Sequence, residues 1–197
     1  MRKKDLKLLT EFIDSGNPKK VLNFAHVRDG GIFATDTRIA IKFHISELQS
    51  SSFIHKKLLK GFESTMGKDD VASFNVAQTP FISCNDVALS LDTAAVELEP
   101  ISIEHVLDKK MSSSFTVKSL DKIQFELSSR LCYINYNQLA DIIKLSEADK
   151  YEVFYNPQNE RNSGMARIVA YIEDEEESFK PLYTAMIMGN LFDSEAK

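Results

Sequence analysis

Apolar and polar positions recur along this chain with two different periods, and the switches between them mark out its elements. Over residues 3–14 (KKDLKLLTEFID) the period is helical. At about 100° per residue, Leu6, Leu8, Leu9, Phe12 and Ile13 share one half of the wheel, and Lys3, Lys4, Lys7 and Glu11 share the other. Ser15-Gly16-Asn17-Pro18 stops this helix. Residues 20–28 (KVLNFAHVR) then read as a strand, and Asp29-Gly30-Gly31 as a tight turn into a strand over 32–35. After a second turn at Asp36-Thr37, Ile39, Ile41, Phe43 and Ile45 alternate with Ala40, Lys42 and His44. That period of two predicts an antiparallel strand buried on one face.

Helical spacing returns over 53–66 (FIHKKLLKGFESTM). Ile54, Leu58, Leu59 and Phe62 are expected inward, with Lys56, Lys57 and Lys60 outward. Two strands follow, at 71–77 and 81–91, the second with a candidate break at Asn85-Asp86. The plan then recurs more loosely. A short helix is expected at 101–110 and strands at 114–118, 122–127 and 130–134. A helix at 136–146 is expected to turn Leu139, Ala140, Ile142 and Ile143 inward. Strands at 151–155, 165–172 and 181–188 complete the chain, with the acidic run 173–177 between the last two. Each half therefore reads helix, strands, helix, strands, with a division near Glu99-Pro100. The fold class expected is α+β: two domains, 1–98 and 99–197, each with two helices packed on antiparallel sheet.

Composition supports a folded chain. At 197 residues it has room for one large domain or two small ones. Its 43% hydrophobic and 27% charged residues fit an ordinary globular protein, and its 7 glycines and 5 prolines argue against a low-complexity or fibrous one. No stretch approaches the roughly 18 apolar residues of a membrane span. Met1-Arg2-Lys3-Lys4 could open a signal peptide, but Asp5, Lys7, Glu11 and Asp14 interrupt the apolar run it needs. Cys84 and Cys132 lie far apart with no zinc-ligand spacing; they read as two thiols of a reducing cytoplasm or as one pair in a secreted chain. The cytoplasm is expected.

Charge is unevenly spread. Residues 1–98 carry 13 Lys+Arg against 12 Asp+Glu, and residues 99–197 carry 11 against 17, so the halves net +1 and −6. The lysines on the two N-terminal helices have two readings. Each set could be ordinary solvated charge. If the helices pack side by side, their outer faces would merge into a basic surface that holds a phosphate backbone without reading sequence.

Signals for catalysis are weak. There is no phosphate-cradling loop, no nucleophile elbow and no paired-histidine metal motif, and His26, His44, His55 and His105 are isolated. Asp29 and Asp36 could hold a divalent metal in a small nuclease, or simply serve their turns. No cofactor is expected, and no enzyme activity.

Helix, hairpin, helix, hairpin, occurring twice, resembles the DNA sliding clamps, the processivity factors of replicative polymerases. Residues 20–45 (KVLNFAHVRDGGIFATDTRIAIKFHI) resemble the clamp stretch in which a turn leads into an ATD-x-x-x-A strand, here Ala34, Thr35, Asp36 and Ala40. Residues 53–60 (FIHKKLLK) resemble the opening of the clamp's second helix. Tyr183, Met186, Met188 and Leu191 match the terminal strand of bacterial clamps, with Ile187 in place of a proline. The resemblance implies a ring that encloses double-stranded DNA. Lys3, Lys4, Lys7, Lys56, Lys57 and Lys60 would contact the backbone. Met186, Met188 and Leu191 would line a groove for a polymerase or another clamp-binding protein, unless the methionines simply fill the core. Bacterial clamp chains hold three domains; a chain of two implies a homo-oligomer closing as a trimer. The competing readings are a clamp-fold adaptor without a DNA ring and the nuclease at Asp29 and Asp36.

Overall fold

The computed structural model describes residues 1–28, 30–46, 48, 51–75, 81–91, 98, 103–130, 134, 136–157, 164–174 and 178–187. It is α+β, and every strand pairing described is antiparallel. The chain forms two compact units. One comprises residues 1–36, 41–102 and 145–147; the other comprises 37–40, 103–144 and 148–197.

In the first unit, α1 (Lys3–Glu11) is followed by a 3-10 turn (Lys20–Asn23), β1 (Phe24–Arg28), β2 (Gly31–Thr35), β3 (Ile39–His44, in this unit from Ile41), β4 (Ser52–His55), α2 (Lys56–Thr65), β5 (Ser73–Asn75), β6 (Phe81–Cys84) and β7 (Val87–Ser90). The strands run in the order β4-β1-β2-β3, with a separate sheet β5-β6-β7. Helix α1 starts where Asp5, in its first turn, accepts the Arg2 backbone N–H (2.9 Å) and pairs with the Arg2 guanidinium (3.2 Å). That satisfies an orphan donor and places an acid at the positive end of the helix dipole. The apolar stripe expected on α1 is buried throughout: Leu6, Leu8, Leu9, Phe12 and Ile13 are at most 3% exposed. Helix α1 packs on β2, and α2 packs on β4 and β7.

Several expectations for this unit are corrected. The strand expected over 20–28 begins with the 3-10 turn and is extended only from Phe24. The helix expected from Phe53 begins at Lys56, because residues 52–55 pair with β1. Ile54 is therefore buried as a strand residue, while Leu58 faces outward. Strand β3 is covered on both faces as far as Phe43: Ala40 and Lys42 are buried along with Ile39, Ile41 and Phe43. A lysine whose long apolar stem lies across a neighbouring strand is not marked as such by its letter. The break at Asn85-Asp86 is a two-residue turn joining Cys84 to Val87, with Asn85 at φ 52°.

The second unit contains α3 (Glu104–Leu107), β8 (Ser113–Val117), α4 (Asp121–Ser129), α5 (Tyr136–Leu145), β9 (Lys150–Tyr155), β10 (Ala166–Glu173) and β11 (Phe179–Ile187), with strand order β11-β10-β9-β8. Alternation is clean here. Tyr151, Val153 and Tyr155 of β9 and Ala166, Ile168 and Ala170 of β10 are buried. The strand expected at 122–127 is instead α4. Ile123, Phe125 and Leu127 alternate as a strand would, but Leu120, Ile123 and Leu127 also fit a helical stripe. The helix wins: those three are buried and Phe125 is left 74% exposed. On α5, Leu139 and Ile142 are buried but Ala140 is exposed. The strand expected at 130–134 and the acidic run after Asp174 lie largely outside the described residues, as do Asp29 and Cys132.

Candidate nucleic-acid interface

The six lysines of the expected basic surface sit on two helices that pack against each other in the first unit. Their polarity follows from two hydrogen bonds. Lys3, the first residue of α1, donates from Nζ to the carbonyl of Met66 at the end of α2 (2.6 Å). Lys56, the first residue of α2, donates from Nζ to the carbonyl of Ile13 just past the end of α1 (2.5 Å). Start meets end in both cases, so the helices are antiparallel. Each lysine answers a carbonyl that its own helix ladder leaves unsatisfied, at the negative end of the other helix's dipole. Burial, with the Lys60 charge next, lowers the pKa of Lys56, against the opposing pull of Glu11, Asp14 and Asp36.

Lys4 is engaged differently. Its ammonium pairs with the Glu147 carboxylate, and this hydrogen bond holds the Glu147 pKa down. Arg2 reinforces the contact by donating from Nη2 to the Glu147 carbonyl (2.7 Å). Lys7, Lys57 and Lys60 remain. All three are exposed, and none forms an ion pair or side-chain hydrogen bond among the described residues. Lys7 lies one turn beyond Lys3, and Lys60 one turn beyond Lys56. The antiparallel register therefore brings them within about a turn of each other along the shared axis.

The local sequence explains how α2 presents its face. His55 caps the helix, its Nδ1 accepting the Lys57 backbone N–H (3.1 Å) while its ring meets Phe24 edge-on at 5.1 Å. An imidazole that accepts through Nδ1 carries its proton on Nε2. Leu59 and Phe62 anchor the helix from beneath. Next to Lys60 in sequence stands Gly61, with nothing within 4 Å of where a Cβ would be. Replacing it with alanine is expected to raise stability by about 0.5–1 kcal/mol, since only the helix-propensity cost of glycine is removed. Urea denaturation of the single variant checks this, and a loss of stability would show that the glycine has a packing role.

The second unit offers less positive charge on its helices. The exposed residues of α4 include Lys122, Gln124, Phe125 and Ser128, and those of α5 include Asn137, Asp141 and Lys144. Of the expected partner-binding residues, Met186 is fully buried. It lies in register beside Arg167 and, through it, Phe154, on the sheet face opposite Tyr183. The Arg167 guanidinium covers the Phe154 ring at 4.3 Å and donates to the carbonyl of Leu107 at the end of α3 (2.9 Å). Met188 and Leu191 lie outside the described residues. Among the described residues there is no group of three or more His, Cys, Asp or Glu side chains that could hold a metal ion, and no helix long and apolar enough to cross a membrane.

Sequence reasoning placed the six lysines on two helices but missed the reciprocal bonds and the role of Arg2. The acceptors at Ile13, Met66 and Glu147 are backbone carbonyls, which every residue carries, so no residue type advertises them.

No protein-family model and no curated protein sequence matches the chain. Solved structures do. The DNA polymerase III β subunit of Borrelia burgdorferi superposes with a TM-score of 0.61 at 13% identity, over 95% of this chain and 61% of that one. The Pseudomonas aeruginosa sliding clamp bound to griselimycin gives 0.61 at 10%, over 96% and 64%. The Helicobacter pylori β clamp bound to a DNA ligase peptide gives 0.58 at 13%, over 95% and 62%. The chain thus spans about three fifths of the length of these solved clamps. Together with the α+β architecture and the helix pair on antiparallel sheet, these superpositions establish that the chain has the fold of the bacterial DNA sliding clamps.

Proposed function

We propose that this protein is a sliding-clamp-like factor. It tracks double-stranded DNA without reading sequence and serves as a docking platform for a polymerase or another clamp-binding protein. The observation that carries this reading is the antiparallel α1–α2 layer, with Lys7, Lys57 and Lys60 exposed on its outer face. Such a layer suits a sliding partner. Ammonium groups on flexible stems act as point charges and attract every phosphate alike, so moving along the duplex exchanges one set of weak contacts for an equivalent one. Enclosure, rather than tight contact, then keeps the protein on DNA. No covalent step is involved, and the residues 1–98 and 99–197 act as the two clamp-like domains.

The proposed assembly is a homo-trimer. Light scattering at neutral pH is expected to give three times the chain mass; a strictly monomeric protein would contradict the ring. Partners are proposed to dock by a short peptide beside the end of β11, at Met188 and Leu191. The ligase peptide on the Helicobacter pylori clamp supports that kind of ligand. Met186, being fully buried, would form the floor beneath such a peptide.

A clamp-fold adaptor that takes part without a DNA ring is the second reading. It is favoured by the net −6 charge of residues 99–197. It predicts the monomeric mass just described together with retained binding of clamp-partner peptides.

A further inference from the structure

The six lysines differ in what their ammonium groups do. We propose that they form two functional classes: Lys7, Lys57 and Lys60 contact the DNA backbone, while Lys3 and Lys56 are positioning residues that clasp α1 to α2 and hold those contacts in place. This rests on the DNA-tracking reading and sharpens it. Lys3 and Lys56 each direct Nζ at a backbone carbonyl of the neighbouring helix, at 2.6 and 2.5 Å. An ammonium committed to a carbonyl at hydrogen-bond distance would have to break that bond to reach a phosphate. The two bonds also lie at opposite ends of the helix pair, the arrangement that best resists splaying and axial slip.

Lys4 belongs to neither class, since Glu147 already neutralises it. The groups facing Lys56 are consistent with a clasp. Glu11, Asp14 and Asp36 lie near enough to act on its charge, and that acidic neighbourhood would oppose an approaching phosphate. Residues one turn apart on one face of one helix would thus serve different ends.

The two classes have separable signatures. Losing a phosphate contact lowers the salt dependence of DNA binding: the slope of log K against log salt falls by about 0.9 per contact. It leaves the melting temperature alone, because surface substitutions away from special features are nearly neutral. Losing a clasp lowers the melting temperature by about 2–4 °C, as for one net hydrogen bond in a chain of this size. It leaves the number of phosphates contacted unchanged, so the slope stays, but lowers the affinity by the same factor at every salt concentration, because the contact lysines are less well held. The experiment uses the full-length chain, a short fluorescein-labelled duplex and fluorescence anisotropy over a sodium chloride series, with thermal melts of every variant. Lys57→Gln and Lys60→Gln are expected to reduce the slope and keep the wild-type melt. Lys56→Met is expected to keep the slope and lower the melt, and Lys56→Arg, which can still donate to the Ile13 carbonyl, to restore it. A reduced slope with an unchanged melt for Lys56→Met would overturn the assignment. So would an unchanged slope for both Lys57→Gln and Lys60→Gln in a protein that binds. A wild-type chain that gives no anisotropy change even at the lowest salt of the series, where phosphate contact needs no enclosure, would overturn the contact class and with it the basic wall of the DNA reading, and the melts of Lys56→Met and Lys56→Arg would still decide the clasp.

Discussion

Replacing Lys7, Lys57 and Lys60 together with glutamate is expected to lower affinity for duplex DNA by at least about a hundredfold at physiological salt, with the fold intact. Each phosphate contact is worth roughly a factor of five there through counterion release, so loss of three accounts for about two orders of magnitude before repulsion is added. The fold should survive because all three side chains are exposed and none forms an ion pair among the described residues. Lys56 is left out by design. Reversing it would set a carboxylate against the Ile13 carbonyl and confuse binding with stability. Anisotropy with a labelled duplex measures the affinity, and far-ultraviolet circular dichroism checks the fold. Undiminished affinity in a folded triple variant would remove the α1–α2 face from any role in DNA binding.

A large single-site loss of stability is expected at Gly31 from the addition of one methyl group. A Cβ there would sit 2.4 Å from the Phe43 carbonyl oxygen and 2.9 Å from Lys42 Cε. The end of a lysine can swing away. The carbonyl belongs to the neighbouring strand β3 and cannot retreat without distorting the ladder. Gly31→Ala is expected to cost about 3 kcal/mol, the upper end for overpacking, and to lower the melting temperature by about 6–12 °C. The adjacent Gly30 gives a graded comparison. Its φ of +71° disfavours any side chain, but a Cβ there meets nothing within 4 Å. Gly30→Ala should therefore cost only the left-handed backbone penalty, about 1–2 kcal/mol. Thermal melts of the two variants test the order, and a milder effect at Gly31 than at Gly30 would show that the strands can move apart.

The pair of glycines also shows what a sequence can and cannot express. Asp29-Gly30-Gly31 announces a turn, but only Gly30 serves it by conformation; Gly31 is needed because β3 and the stem of Lys42 press against it, a fact of tertiary packing. The same division runs through the fold. The stripe of α1 and the alternation of β9 and β10 were legible because each buries one face, so period and burial coincide. Strand β3 was misjudged because it is buried on both faces, and residues 121–129 because the spacing of Ile123, Phe125 and Leu127 satisfies two periods at once. Leu120 tips that balance, and it lies outside the window that alternates. At the candidate interface, the lysines were legible by charge and spacing. The two lysine–carbonyl bonds behind their proposed division into contacts and clasps were not, since they depend on which carbonyls the antiparallel partner helix brings within reach.

If the protein holds DNA by enclosing it with a positive helical wall, as proposed, the topology of the DNA decides whether it stays bound. Retention on circular plasmid carrying a single nick, compared with the same plasmid after linearisation, tests this most directly. The protein is expected to stay with the nicked circle through gel filtration at moderate salt and to run off once the ends are free. Equal retention on both forms, or none on either, would contradict it.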